Sequence, residues 1–182
     1  MSKLVYALLT GIIGAVLLHI IIILGVPLFT GRDAYTRVTA EGQPFVFHPL
    51  SATEDAVGLS SRNPYLRLAV CHFDIGTQPL SLTAAGGVEF WSMAIYDRDA
   101  NEVFSMNDRT SVAGDLDVLL ATPVQVAQLR KTPIAALAQT ILVEHRGTTG
   151  YVVLRAMVPQ PSLEAEATAF LADAECLPFT GR

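Results

Sequence analysis

Three places in the chain carry residue types that could do chemistry. In "YDRDANEVFSMND" (Tyr96–Asp108), Asp97, Asp99 and Asn101 stand at alternate positions, and Asp108 follows eleven residues after Asp97. That is close to the oxygen spacing of a calcium loop flanked by helices, which takes Asp or Asn at positions 1, 3 and 5, Gly at 6 and a bidentate Glu at 12. Here position 6 is Glu102, where the sharp bend needs Gly, and position 12 is the shorter Asp108. The flanks "FWSMAIY" and "EVFSM" alternate as strands do, and "DRDAN" between them is ordinary turn chemistry, since Asp and Asn tolerate turn backbones. The stretch therefore reads as a hairpin that binds no calcium.

The second place is "HFD". His72 and Asp74 fall on one face of a strand, because side chains alternate with period two. A metal site would need a third ligand from His48, Glu144 or His145, and one H-x-D pair without such a partner is a weak signal. A buried His hydrogen-bonded to its neighbouring Asp is the plainer reading, so no metal ligand is assigned. If the chain were an enzyme, His72 and Asp74 are the candidates to name. The chain has no G-x-S-x-G elbow, phosphate-cradling glycine loop, G-x-G-x-x-G or C-x-x-C, and no catalytic or cofactor-binding residue is assigned.

The third is the pair of cysteines, Cys71 and Cys176. In an oxidising compartment their pairing would close a loop of about 105 residues, and in a reducing one they would be two buried thiols.

These residues need elements to position them. "PFVFHPL" (Pro44–Leu50) reads as a short strand stopped by Pro49. Further strands are expected at Tyr65–Ile75, "LSLTAA", Val88–Tyr96, Glu102–Met106 and Asp115–Ala121. "TILVEHR" and "YVVLRAMVP", joined by "GTTG", read as a hairpin. Thr followed by Pro opens two short helices, Pro123–Lys131 and Pro133–Ala138. Ser162 is placed to cap a last amphipathic helix presenting Leu163, Ala167, Phe170, Leu171 and Ala174 on one face. Strands of this length with turns between them point to a mainly β fold, an antiparallel, jelly-roll-like β-sandwich with short peripheral helices over residues 44–182. Residues 30–43 read as a polar linker.

Before the linker, Leu4–Phe29 holds 26 residues without Asp, Glu, Lys or Arg. As a helix such a run spans roughly 39 Å, against about 30 Å of bilayer hydrocarbon. Pro27 marks the expected exit. The run is longer than a signal-peptide core and ends without an Ala-x-Ala site, so residues 1–29 are expected to be an uncleaved transmembrane anchor. His19 is the one polar oddity inside it. Lys3 before the span and Arg32 and Arg37 after it leave the orientation undecided by charge. Residues 30–182 carry 11 basic and 17 acidic groups, 11 − 17 = −6. With no basic stripe, nucleic acid is excluded as a partner.

The stretches "AVCHFDI", "FWSMAIYDRDANEVFSMNDRT", "LLATPVQVAQLR", "ILVEHRGTTGYVVLRAMVP" and "FLADAEC" together resemble a bacterial family, domain of unknown function 1254, in its short membrane-anchored form. Longer relatives open this domain with Asn-x-Asp-Thr-Leu-Tyr, where this chain has "NPYLRLA" (Asn63–Ala69). The resemblance implies an all-β sandwich in the cell envelope. It also implies a companion, a second small membrane-anchored protein carrying the sister domain that follows this one in fused forms. The family supplies no catalytic residues. The expectation is a single-pass inner-membrane protein with a periplasmic domain containing a Cys71–Cys176 disulfide, acting as a non-catalytic binding or assembly module. The alternative is an enzyme on an envelope or small-molecule substrate.

Overall fold

A computed structural model of the protein describes residues 2–30, 33–51, 57–60, 63–131 and 137–181. It begins with α1 (Ser2–Thr30), of which Ser2–Val26 is long and apolar enough to cross a membrane. The backbone stays helical past Pro27. From Leu4 to Val26 the large apolar side chains are exposed rather than packed on the rest of the chain.

Among the described residues nine strands form two sheets. The first runs in the order β1 (His48–Pro49), β2 (Leu66–Asp74), β8 (Thr149–Met157), β4 (Trp91–Asp97), β5 (Glu102–Asn107). The second runs β7 (Ile141–Glu144), β6 (Leu116–Ala121), β3 (Leu80–Ala84), β9 (Glu175–Pro178). Alternation decides what lies between them. Cys71 and Phe73 of β2, Met93 and Ile95 of β4, and Val152 and Leu154 of β8 share one buried cluster with Leu80, Leu82, Val118, Leu120 and Val143 of the facing sheet. Burying one such large side chain stabilises by roughly 1.5–3 kcal/mol, so this shared layer is what holds the sandwich together.

α4 (Glu164–Asp173) closes one side, its Phe170 ring stacked on Trp91 with centroids 6.2 Å apart. Its first residue, Glu164, accepts a two-pronged hydrogen bond from Arg67 of β2, Nε at 2.6 Å and Nη2 at 2.5 Å. Trp91 Nε1 donates to the Gly114 carbonyl at 2.8 Å, so the buried indole leaves no orphan donor.

Several local expectations are corrected. "TILVEHR" and "YVVLRAMVP" are not a hairpin: β7 pairs parallel with β6, while β8 lies in the other sheet between β2 and β4. Parallel pairing needs a crossover, and α3 (Pro123–Lys131) supplies its helix, with Val126 buried. The expected linker contains α2 (Ala34–Ala40), capped by Asp33, whose carboxylate accepts the Thr36 N–H at 2.6 Å. Ser162 does not cap α4; Pro161–Leu163 form a 3-10 turn that runs into it, with no side-chain cap. β9 follows α4 where no strand was expected. β1 shrinks to two residues that include Pro49, which an edge strand tolerates. Residues 133–136 of the expected Pro133–Ala138 helix lie outside the described residues.

Candidate functional site

The outer face of the five-stranded sheet collects the polar candidates. Register places His72, Tyr151 and Tyr96 side by side across β2, β8 and β4. Tyr96 and Tyr151 stack with centroids 5.1 Å apart, and Arg155 Nη2 reaches the Tyr96 hydroxyl at 3.5 Å. α2 lies over this face: Val38 is 1% exposed and packs with Val70 and Tyr151, and Tyr35 holds the Arg98 guanidinium 5.6 Å from its ring centre. Burial pushes the Tyr151 phenol above its ordinary value, and Tyr96, Asp97 and Asp33 add to the effect. The patch thus docks the helix that follows α1. Sequence reasoning missed it, although Tyr96 and Tyr151 each mark the outward phase of their strands.

His72 and Asp74 both face outward, but they do not pair. His72 Nε2 bonds the Gly42 carbonyl at 3.0 Å, and Asp74 Oδ1 accepts the Gly76 N–H at 2.9 Å. His48 Nε2 takes the adjacent Gln43 carbonyl at 2.9 Å, and Phe45 N–H donates to the His72 carbonyl at 3.0 Å. Phe45 adopts φ +62°, a left-handed conformation that a bulky residue seldom takes unless its surroundings hold it there. The two imidazoles therefore fasten the segment from α2 to β1.

The Asp97 region is a hairpin. β4 and β5 pair antiparallel, with a register shift between Ile95 and Tyr96 and the Asp97 N–H donating to the Asn101 carbonyl at 3.0 Å. Asp97 Oδ1 accepts the N–H groups of Asp99 (2.9 Å) and Asn101 (2.8 Å), and Oδ2 accepts the Asn101 amide at 2.9 Å. Burial, the largest influence, raises the Asp97 carboxyl. The Asn101 and Asp99 hydrogen bonds and the nearby His145 outweigh it, so the group titrates below its ordinary range. Those oxygens are spent on the turn. Among the described residues no three His, Cys, Asp or Glu side chains gather in a metal-binding group. His145 sits at the end of β7, 7% exposed, its Nε2 without a hydrogen-bond partner and close enough to Gly147 that an added Cβ there would lie 2.7 Å away.

Cys71 of β2 and Cys176 of β9 are disulfide-bonded, with α-carbons 6.7 Å apart and 105 residues between them in sequence. Both are buried, at 0% and 1% exposure. The bond crosses the sandwich and fastens an edge strand of one sheet to the other.

Among the described residues, the surface of the sandwich carries clefts at two places. One, about 270 Å³, is lined by Thr77, Pro79, Gln125, Gln128, Leu129 and Phe179 among others. Gln125 is already committed, its amide donating to the Ile75 carbonyl and its oxygen accepting the Thr122 N–H. The other, about 220 Å³, lies between Gly86–Val88 and the Glu166–Asp173 side of α4. Neither holds His72, Asp74 or Asp97.

No family model matches the chain. Nor does any curated protein. Among solved structures, the chain is similar to the VPA0106 protein from Vibrio parahaemolyticus, with TM-score 0.57 and 10% identity over 78% of this chain and 32% of that one. It is also similar to an uncharacterized protein from Burkholderia cenocepacia, with TM-score 0.50 and 13% identity over 84% of this chain and 42% of that one. At such identities the likeness is one of fold, and this chain spans only about a third to two-fifths of those longer chains.

Proposed function

We propose that the protein is a membrane-anchored, non-catalytic binding module of the bacterial envelope, with α1 spanning the inner membrane and the sandwich in the periplasm. The observation that carries this reading is how the most reactive side chains are used. His48, Asp74 and Asp97 hold backbone groups of their own turns, and His72 holds the Gly42 carbonyl of the segment after α2. The buried Cys71–Cys176 bridge supports the oxidising side of the membrane, because disulfides persist there and are reduced in the cytosol.

The partner in this reading is a second membrane-anchored protein carrying the sister domain, as the resemblance to domain of unknown function 1254 implies. β5 is the surface that suits it. Among the described residues this strand has one neighbour, β4; it runs six residues without proline and leaves an edge to which an extended segment can add. The test is affinity purification of the full-length protein from detergent-solubilised membranes. Recovery of a sister-domain protein in near-equal amount is the expected result. Its absence under conditions that keep other membrane complexes intact refutes the assembly role.

A further inference from the structure

We propose that α1 is a self-association surface: two copies of this chain cross in the membrane along Ala7, Gly11, Ala15 and His19, and their His19 side chains hydrogen-bond to each other. The proposal rests on the membrane-spanning reading of α1 and goes beyond it. It begins with a polar group that the chain itself leaves unsatisfied. The Thr10 hydroxyl, also inside the span, donates to the Tyr6 carbonyl at 2.8 Å. His19 is exposed on the helix and has no such bond among the described residues. In hydrocarbon, which offers no water to bond, a polar group left unsatisfied is strongly disfavoured. Val26, the end of the span, lies seven residues beyond His19, about 10 Å of helix rise and farther than an imidazole reaches. A partner must come to it.

The surroundings of His19 select that partner. Positions 7, 11, 15 and 19 are each four apart and form one ridge inclined to the helix axis. Its first three members are small, and the helix surface there is concave, a groove of about 490 Å³ lined by Leu4, Ala7, Leu8, Gly11, Ile12 and Ala15. A Cβ added at Gly11 would meet nothing within 4 Å, so a second helix can approach its backbone. Helices packed along an i±4 ridge of small residues cross with a right-handed angle of about −40°. Ala15, in the seam, is only about 6 Å of rise from His19.

A foreign helix would need its own polar group at this depth. A second copy inserted the same way brings one by symmetry. An uncharged imidazole carries one N–H donor and one bare nitrogen, so two of them are complementary to each other.

The experiment uses full-length protein in lipid vesicles. Energy transfer between donor- and acceptor-labelled copies is followed as lipid dilutes them, and carbonate resistance and intact mass are checked first. We expect wild-type dimers, dimers about 3- to 20-fold weaker for His19→Leu, and near wild-type behaviour for His19→Asn, which keeps a donor and an acceptor. Oxidation should join Gly11→Cys copies and leave Ile13→Cys copies, on the opposite face, largely unjoined. An integral, uncleaved protein that stays monomeric, or whose association ignores both His19 and the Gly11 face, overturns the dimer and leaves the anchor standing. Cross-linking of Gly11→Cys to a different protein overturns it likewise. A chain cleaved near residue 30 removes both readings together.

Discussion

Removing the inter-sheet bridge with Cys71→Ala and Cys176→Ala tests the energetics of the sandwich most directly. The bond spans 105 residues of sequence. On the chain-entropy argument a closed loop of that size removes about 4.7 kcal/mol of denatured-state freedom. Native-state effects add to the loss, because both sulfurs are buried and truncation leaves small voids between β2 and β9. For a domain of this size each kcal/mol corresponds to about 2–4 °C, so the midpoint should fall by about 10–19 °C. The chain has one tryptophan, Trp91, fully buried against Phe170, so its fluorescence reports on the core alone. The assay is thermal unfolding of the full-length protein in detergent, read at that residue, for wild type and the double variant. A fall below about 4 °C, or two freely alkylated thiols in thiol-blocked native extract, would refute the reasoning.

Three further outcomes follow from the geometry. Asp97→Ala removes three turn hydrogen bonds and should lower stability by about 1–2 kcal/mol, while added calcium leaves the wild-type melt unchanged; micromolar calcium affinity lost in Asp97→Ala would show that the turn is a metal loop after all. The Arg67 hydrogen bonds hold the Glu164 carboxyl below its ordinary value. A depressed carboxyl stabilises above its unfolded pKa, and that stability is lost as pH falls through the folded one. The gap between wild type and Glu164→Gln should therefore be present at pH 7 and close in acid, and a gap independent of pH contradicts the pairing. Gly150→Ala would drive a Cβ into the Tyr96 carbonyl oxygen and to 2.8 Å from Phe73 Cζ, so the sandwich should lose about 3 kcal/mol or more, and a variant that melts like wild type removes the close approach.

What the sequence made legible was local. The hairpin at Asp97 could be read because alternation, turn residues and flanking strands all lie within about 15 residues and agree. The β7–β8 expectation failed for the opposite reason. Ile141 and Val143 carry an inward alternation that either sheet could accept, and only the distant β6 decides between them. β9 is four residues ending in Pro178, too short to compete with the helix before it. α2 carried one usable sign, Asp33 three residues before Thr36, the spacing of an N-cap. At the candidate site the types were visible and the partners were not. His72 and Asp74 share a face, yet each finds a closer backbone group in a loop that no period-two argument can place.

In the proposed membrane-anchored arrangement, the docking of α2 would also limit how the sandwich moves about α1. Three chain steps separate Thr30, the last residue of α1, from Asp33, which caps α2, and three steps span at most about 11 Å. A domain of about 150 residues has a radius of gyration near 15 Å. The leash is shorter than the body it holds. With α1 embedded as proposed above, the bilayer surface would exclude most rotations of the sandwich, leaving it to precess within a cone rather than tumble. Much of the orientational freedom that a loosely tethered domain surrenders on meeting a neighbour would then be given up in advance, and a neighbour standing in the same membrane would encounter an already aimed face.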